Sequence, residues 1–160
     1  MGVSGSGKST IGRSLAQILD WPFYDGDDFH PPENIAKMSR GIPLSDRDRA
    51  HWLLALQHLI ATVRHRQSHA LIACSALKQA YRELLAGNEQ DILWVYLKGN
   101  YEQILTRVQQ RQKHFMKAEL LRSQFESLEE PENALIVDIS QSSEEIAARI
   151  AAILKPHYNA

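Results

Sequence analysis

The stretch Gly2-Val3-Ser4-Gly5-Ser6-Gly7-Lys8-Ser9 satisfies the pattern G-x-x-x-x-G-K-S/T, and it constrains the fold of this 160-residue chain more than any other feature. Glycines at these positions let a backbone turn its N–H groups toward one centre with no side chains in the way. The lysine of such a loop neutralises β- and γ-phosphate charge, and the hydroxyl after it reaches Mg²⁺. Ile11, Leu15, Ile18 and Leu19 then recur at helical spacing. The helix starting near Lys8 therefore aims its positive end at the same centre. The expected contacts for ATP are Gly2, Val3, Ser4, Gly5, Ser6, Gly7, Lys8, Ser9 and Thr10, with Lys8 also catalytic and Ser9 also on the metal. A loop of this kind follows a buried strand, yet only Met1 precedes Gly2. The expectation is that the first strand is missing or truncated here, that the natural chain begins upstream, and that Met1 is that strand's last residue.

Downstream, short apolar runs alternate with amphipathic ones. Pro22 to Asp25, Ala70 to Cys74, Ile92 to Leu97 and Ala134 to Ile139 read as buried strands. Ser45 is a plausible N-cap for a long helix through Trp52, Leu53, Leu56 and Ile60. Further helices are expected at 76–86 before Gly87, after the Asn100/Gln103 capping box, at 120–128, and at 143–154 before Pro156. Alternating strands and helices imply a three-layer α/β/α domain around a parallel sheet. The stretches 25–45 and 111–117 look like loops, and such excursions carry function.

A formal net charge of −1 gives no electrostatic case for nucleic acid or an anionic membrane as partner. No apolar run approaches the roughly 20 residues that span a bilayer. Cys74 is the single cysteine, so no internal disulfide forms, which suits a cytoplasmic setting. His51, His58 and His65 share a helix face and read as solvated; His65 and His69, four apart, lack the third ligand or H-E-x-x-H pattern of a metal site. Arg107 and Arg111 lie one helical turn apart and suit a γ-phosphate, where charge accumulates during transfer. A solvated helix face is the competing reading.

Beyond the loop, several separate blocks resemble the bacterial gluconokinases. They are Asp25-Gly26-Asp27-Asp28-Phe29-His30-Pro31, Asn34-Ile35, Lys37-Met38, Gly41-Ile42-Pro43-Leu44, Asp46, Asp48-Arg49 and Trp52-Leu53. Cys74-Ser75-Ala76-Leu77-Lys78, Tyr81-Arg82, His114-Phe115-Met116 and Ser123-Gln124-Phe125-Glu126 with Leu128-Glu129 continue the match. His51 and Lys113 stand where that family often has proline and glycine. The resemblance implies a single P-loop kinase domain over 1–160 on an adenylate-kinase-like fold. Its substrate-binding helical segment would be about 28–66 and its helical lid about 107–128. It also implies ATP and Mg²⁺ as cofactors, D-gluconate as acceptor, 6-phospho-D-gluconate as product, and room for a homodimer.

By similarity to the Asp-x-Asp of related kinases, Asp25 would help hold Mg²⁺ through water. Asp27 would orient the accepting hydroxyl and take its proton, and both would point one way if the strand continues past Asp25. An anionic acceptor needs a cation for its carboxylate. Arg49, Lys78 and Arg82 are the candidates, with His30 and Lys37 nearby; Arg49 and Arg82 are preferred for bidentate geometry, against an internal ion pair with Asp46 or Asp48. Ser75 would bond an acceptor hydroxyl. His114 and Phe115 would belong to the lid. By analogy of fold the adenine would rest near Ser140 to Ser143. The alternatives are a P-loop kinase of another small acceptor, such as shikimate, and a non-catalytic ATP-binding regulator.

Overall fold

The computed structural model describes residues 1–87, 91–110 and 118–158. Four short strands form: β1 (Phe23–Asp25), β2 (Leu71–Ala73), β3 (Val95–Lys98) and β4 (Leu135–Asp138). They pair in parallel, β1 with β2 and β3 with β4, with Tyr24 opposite Ile72 and Leu97 opposite Val137. Seven α-helices are described: α1 (Lys8–Leu19), α2 (Pro32–Ser39), α3 (Asp46–His65), α4 (Gln79–Ala86), α5 (Tyr101–Gln110), α6 (Ala118–Ser127) and α7 (Ser143–Tyr158). Parallel strands linked through helices give the expected α/β layering, since each crossover returns its helix to a sheet face.

The two strand pairs are joined through the first two residues. The Leu97 N–H donates to the Met1 carbonyl at 3.0 Å, and the Gly2 N–H donates to the Ser75 carbonyl at 3.2 Å. Met1 thus lies between the β2 and β3 lines, as the last residue of a strand feeding the loop would. Behind it, between β2 and β3, opens a cavity of about 560 Å³ lined by Ile11, Leu15, Leu56, Ile72, Trp94 and Val95.

Two apolar clusters flank the sheet. One gathers Val3, Ile11 and Leu15 with Ile104, Leu121, Val137, Ile146 and Ile150. The other centres on Trp52, Leu56, Tyr81 and Tyr96. The α3 N-terminus is fixed by a full capping box: the Ser45 hydroxyl accepts from the Asp48 N–H, and the Asp48 carboxylate accepts from the Ser45 N–H.

Three expectations change. The stretch 25–45 contains a 3₁₀ turn (Gly26–Phe29) and α2, entered through Pro31-Pro32, where proline's fixed φ suits a helix start. The helix expected from residue 76 begins at Gln79, because Ala76 takes φ 44° and cannot lie in a right-handed helix. α7 runs on through Pro156 to Tyr158, in a last turn that is exposed at Pro156, where a lost backbone bond costs least. Among the described residues no helix is long and apolar enough to cross a membrane.

Candidate active site

Gly7 caps α1 in the left-handed region with φ 99°. Gly5 also has positive φ, 83°, and a Cβ there would stand 2.5 Å from Val108 Cγ2, so α5 packs directly on the loop and only glycine fits. Val3 is buried in the core and can offer a ligand only its backbone. The Lys8 ammonium donates to the Gly2 and Val3 carbonyls, 3.0 Å each, and so lies across its own loop. The Ser4 N–H donates to Gln124 Oε1 at 2.7 Å, and the Ser6 N–H to the Val3 carbonyl at 3.3 Å. The N–H groups of Gly5, Gly7 and Ser9 have no protein acceptor among the described residues. Such orphan donors at a helix start form an anion cradle. Ser9 is half-buried and Thr10 exposed, both in the first turn of α1.

The acidic pair stands beside this loop. β1 stops at Asp25, so the expected alternation through Asp27 does not apply. Asp25 instead caps the 3₁₀ turn, accepting the Asp27 N–H at 3.2 Å, and its carboxylate lies 3.8 Å from the Arg13 guanidinium. Asp27 is exposed. A Cβ on Gly26 would meet the Ala73 carbonyl at 2.6 Å, so the turn lies hard against the end of β2, the strand whose continuation at Ser75 accepts from Gly2. Burial pushes the Cys74 thiol up to about 11, and the charges it feels include Lys8 and Asp27. The phosphate loop and the acidic turn thus converge at one end of β2. This buried, poorly acidic thiol behaves as a core residue.

A polar scaffold supports the turn from α2 and α3. Trp52 Nε1 donates to the Gly26 carbonyl at 2.6 Å in a buried position, and the His30 ring stacks on Trp52 at 4.5 Å and 12°. The Asn34 amide donates to the Asp48 carbonyl at 2.8 Å and lies 3.4 Å from His30 Nδ1. Burial lowers the His30 pKa below its ordinary value; Asp27 opposes and Arg49 assists the shift.

The candidate cations divide by their partners. Lys78 is paired with Asp46, at 2.8 and 3.0 Å, and the Tyr81 hydroxyl donates to that same carboxylate. Lys37 is paired with Asp48 at 2.6 Å, which with the Ser45 bonds holds that carboxyl down at about 2. Arg82 is buried and donates to the Ala76 and Leu77 carbonyls at 2.9 and 3.1 Å, bracing the strained loop that carries Ser75. Arg49 donates to the Leu44 carbonyl at 2.6 Å, lies 5.8 Å from the Tyr81 ring centre, and makes no carboxylate pair among the described residues. The expected Asp46 and Asp48 ion pairs therefore exist, but with Lys78 and Lys37 rather than with Arg49.

Arg107 donates to the Ile139 carbonyl at the end of β4. This bond sets its guanidinium beside the segment expected to take the base, on the helix that also packs against Gly5 of the loop. Arg111, His114 and Phe115 lie outside the described residues. Sequence reasoning had no role for Arg13, Asn34, Trp52 or Gln124. The last three stood in recognised blocks, but their contacts span 14 to 120 residues of sequence, and no local pattern announces them.

The shikimate kinase family profile matches residues 4–155. The chain is 48% identical over 132 residues to the thermosensitive gluconokinase of Escherichia coli K12, which covers 82% of this chain and 71% of that one. A sugar kinase from Janibacter sp. HTCC2649 superposes with TM-score 0.89 and 40% identity over 97% of this chain and 91% of that one. A gluconokinase from Sinorhizobium meliloti 1021 superposes with TM-score 0.82 and 40% identity, covering 99% and 94%. The convergence of phosphate loop and acidic turn is thus the centre of a kinase fold, and the chain belongs to the shikimate kinase family and, within it, with the gluconokinases.

Proposed function

We propose that this chain transfers the γ-phosphate of ATP to D-gluconate, giving 6-phospho-D-gluconate and ADP. The observation that carries the reading is the meeting of the phosphate loop with the Asp25–Asp27 turn at the end of β2. Phosphoryl transfer needs positioning and charge neutralisation more than covalent chemistry from the protein. The Gly5, Gly7 and Ser9 N–H groups and Lys8 would hold the phosphates. Asp27 would orient the accepting hydroxyl; as the new O–P bond forms and the β–γ bridging bond breaks, its carboxylate takes the proton.

Arg49 is the cation best placed for the gluconate carboxylate, because Lys78 and Lys37 already serve carboxylates and Arg82 is folded inward. Ser75, whose carbonyl accepts from Gly2, and His30, which follows the acidic turn directly, would meet acceptor hydroxyls. Mg²⁺ suits the hard oxygen donors present: the Ser9 hydroxyl would bind it and Asp25 would hold it through water, neutralising phosphate charge. Arg111, four residues after Arg107, remains the proposed partner of the transferring phosphate. Residues 28–66 would form the acceptor side and 107–128 the lid. A cytoplasmic setting belongs to the same reading, where ATP is supplied and a lone cysteine stays reduced.

The test is ADP release from ATP and Mg²⁺, with and without gluconate, beside shikimate and AMP. Gluconate-dependent release supports the proposal. Release driven by shikimate or AMP instead would replace the acceptor, and ATP binding without acceptor-dependent release would favour a regulator.

A further inference from the structure

We infer that Gln124 is a positioning residue that holds the Ser4–Gly5 turn of the phosphate loop in its phosphate-binding shape. The inference rests on the nucleotide-binding part of the proposal above. Its observation is the 2.7 Å bond from the Ser4 N–H to Gln124 Oε1, which joins the loop to a helix 120 residues away in sequence. α6 is itself firmly seated. Leu121 is fully buried in the cluster that contains Val3, and the Phe125 ring meets the Tyr101 ring edge-on at 5.4 Å. The amide oxygen is therefore presented from a helix that, although within the proposed lid segment, is packed into the core in this arrangement.

The consequence follows from what kind of segment it holds. A loop with glycines at 2, 5 and 7 has many conformations to lose, and any ordering left undone before binding is subtracted from ligand affinity. Gln124 commits the Ser4 donor to the protein, while the Gly5, Gly7 and Ser9 N–H groups have no protein acceptor among the described residues. On the far side, Gly5 is pressed against Val108 and Ile104 of α5. Two helices thus fix the back of the turn, one by packing and one by a single directed bond. A neutral acceptor suits the place, because a carboxylate there would set negative charge beside the phosphates.

The test compares binding of ADP and of adenosine to wild type and Gln124→Met, which keeps the side chain's length and removes its acceptor. ADP should bind about tenfold more weakly to the variant, the scale of one directed hydrogen bond. Adenosine, which has no phosphate to meet the loop, should change less than twofold. Proline at position 4 removes the N–H donor, so Gln124 has nothing left to accept there. In a Ser4→Pro background, Gln124→Met should then change ADP affinity less than twofold. Unchanged ADP binding by Gln124→Met, equal loss for ADP and adenosine, or an undiminished effect in the Ser4→Pro background would each overturn the inference. If Ser4→Pro fails to fold, the split between ADP and adenosine decides alone. Failure of the wild type to bind ADP at all would instead overturn the nucleotide-binding reading.

Discussion

Four side chains in and around the acidic turn carry separable predictions. Asp27→Asn keeps size and hydrogen-bonding shape but cannot take a proton, so kcat should fall about 10²- to 10⁴-fold while ATP affinity holds. Turnover at the wild-type rate would remove Asp27 from the chemistry. Arg49→Met should raise the KM for gluconate about 10- to 100-fold, the loss of a charge-assisted hydrogen bond, and leave the KM for ATP nearly unchanged. Lys78→Met should do less to gluconate, because Lys78 already serves Asp46. The reverse ranking would move the carboxylate to Lys78. His30 gives a pH signature. Its pKa is lowered in the folded chain, chiefly by burial, so between that lowered value and the ordinary 6.5 the unfolded chain binds more protons. Stability contributed by His30 therefore rises with pH through that window and is lost as pH falls through it. Replacing His30 by Asn should flatten the urea midpoint over that pH range relative to wild type; identical slopes would mean that His30 does not titrate differently on folding.

At the scale of elements, the telling feature is the space between β2 and β3. Among the described residues each of these two strands pairs with another strand on one side only, with β1 or β4, and backbone hydrogen bonds at Met1 and Gly2 link the two pairs. The cavity behind Met1 is lined by apolar side chains from the helices as well as the strands, which is the surrounding a buried parallel strand requires. A segment of four or five Val and Ile residues fused ahead of Met1 should enter it as a strand parallel to both neighbours. Each buried side chain contributes about 1.5–3 kcal/mol against about 1–2 kcal/mol of backbone ordering per residue, so the net gain should be a few kcal/mol. At about 2–4 °C per kcal/mol, Tm should rise by several degrees, and binding of a hydrophobic dye should fall. The same fusion with Asp at alternate positions is the control. Equal Tm for both fusions would mean that the cavity does not take a strand.

Across the whole molecule, what was legible in the sequence was whatever depends on near neighbours. The phosphate loop, the four strands, the Ser45 cap and most helix positions follow from spacing, and each appears, with β3 starting at Val95 rather than at Ile92. The partners of the cations were not legible. Asp46 and Asp48 were recognised as competitors, yet their pairing with Lys78 and Lys37 depends on how α3 lies against α2 and the start of α4. Arg107 reads from its helix face as a phosphate ligand, and its bond to the Ile139 carbonyl just past β4 is a contact that no local spacing announces. The loop's supports, Gln124 and the α5 face against Gly5, come from distant parts of the chain. Because the loop touches both strand pairs and the α5–α6 side, a ligand ordering it should stabilise the molecule as a unit. ADP at 100 times its Kd should add about 2.7 kcal/mol by mass action and raise Tm by about 5–11 °C. Fluorescence and far-ultraviolet circular dichroism should report the same upward shift, since a ligand at the junction is felt by both strand pairs. A shift seen by one probe alone would show that the two pairs unfold separately and that the loop does not couple them.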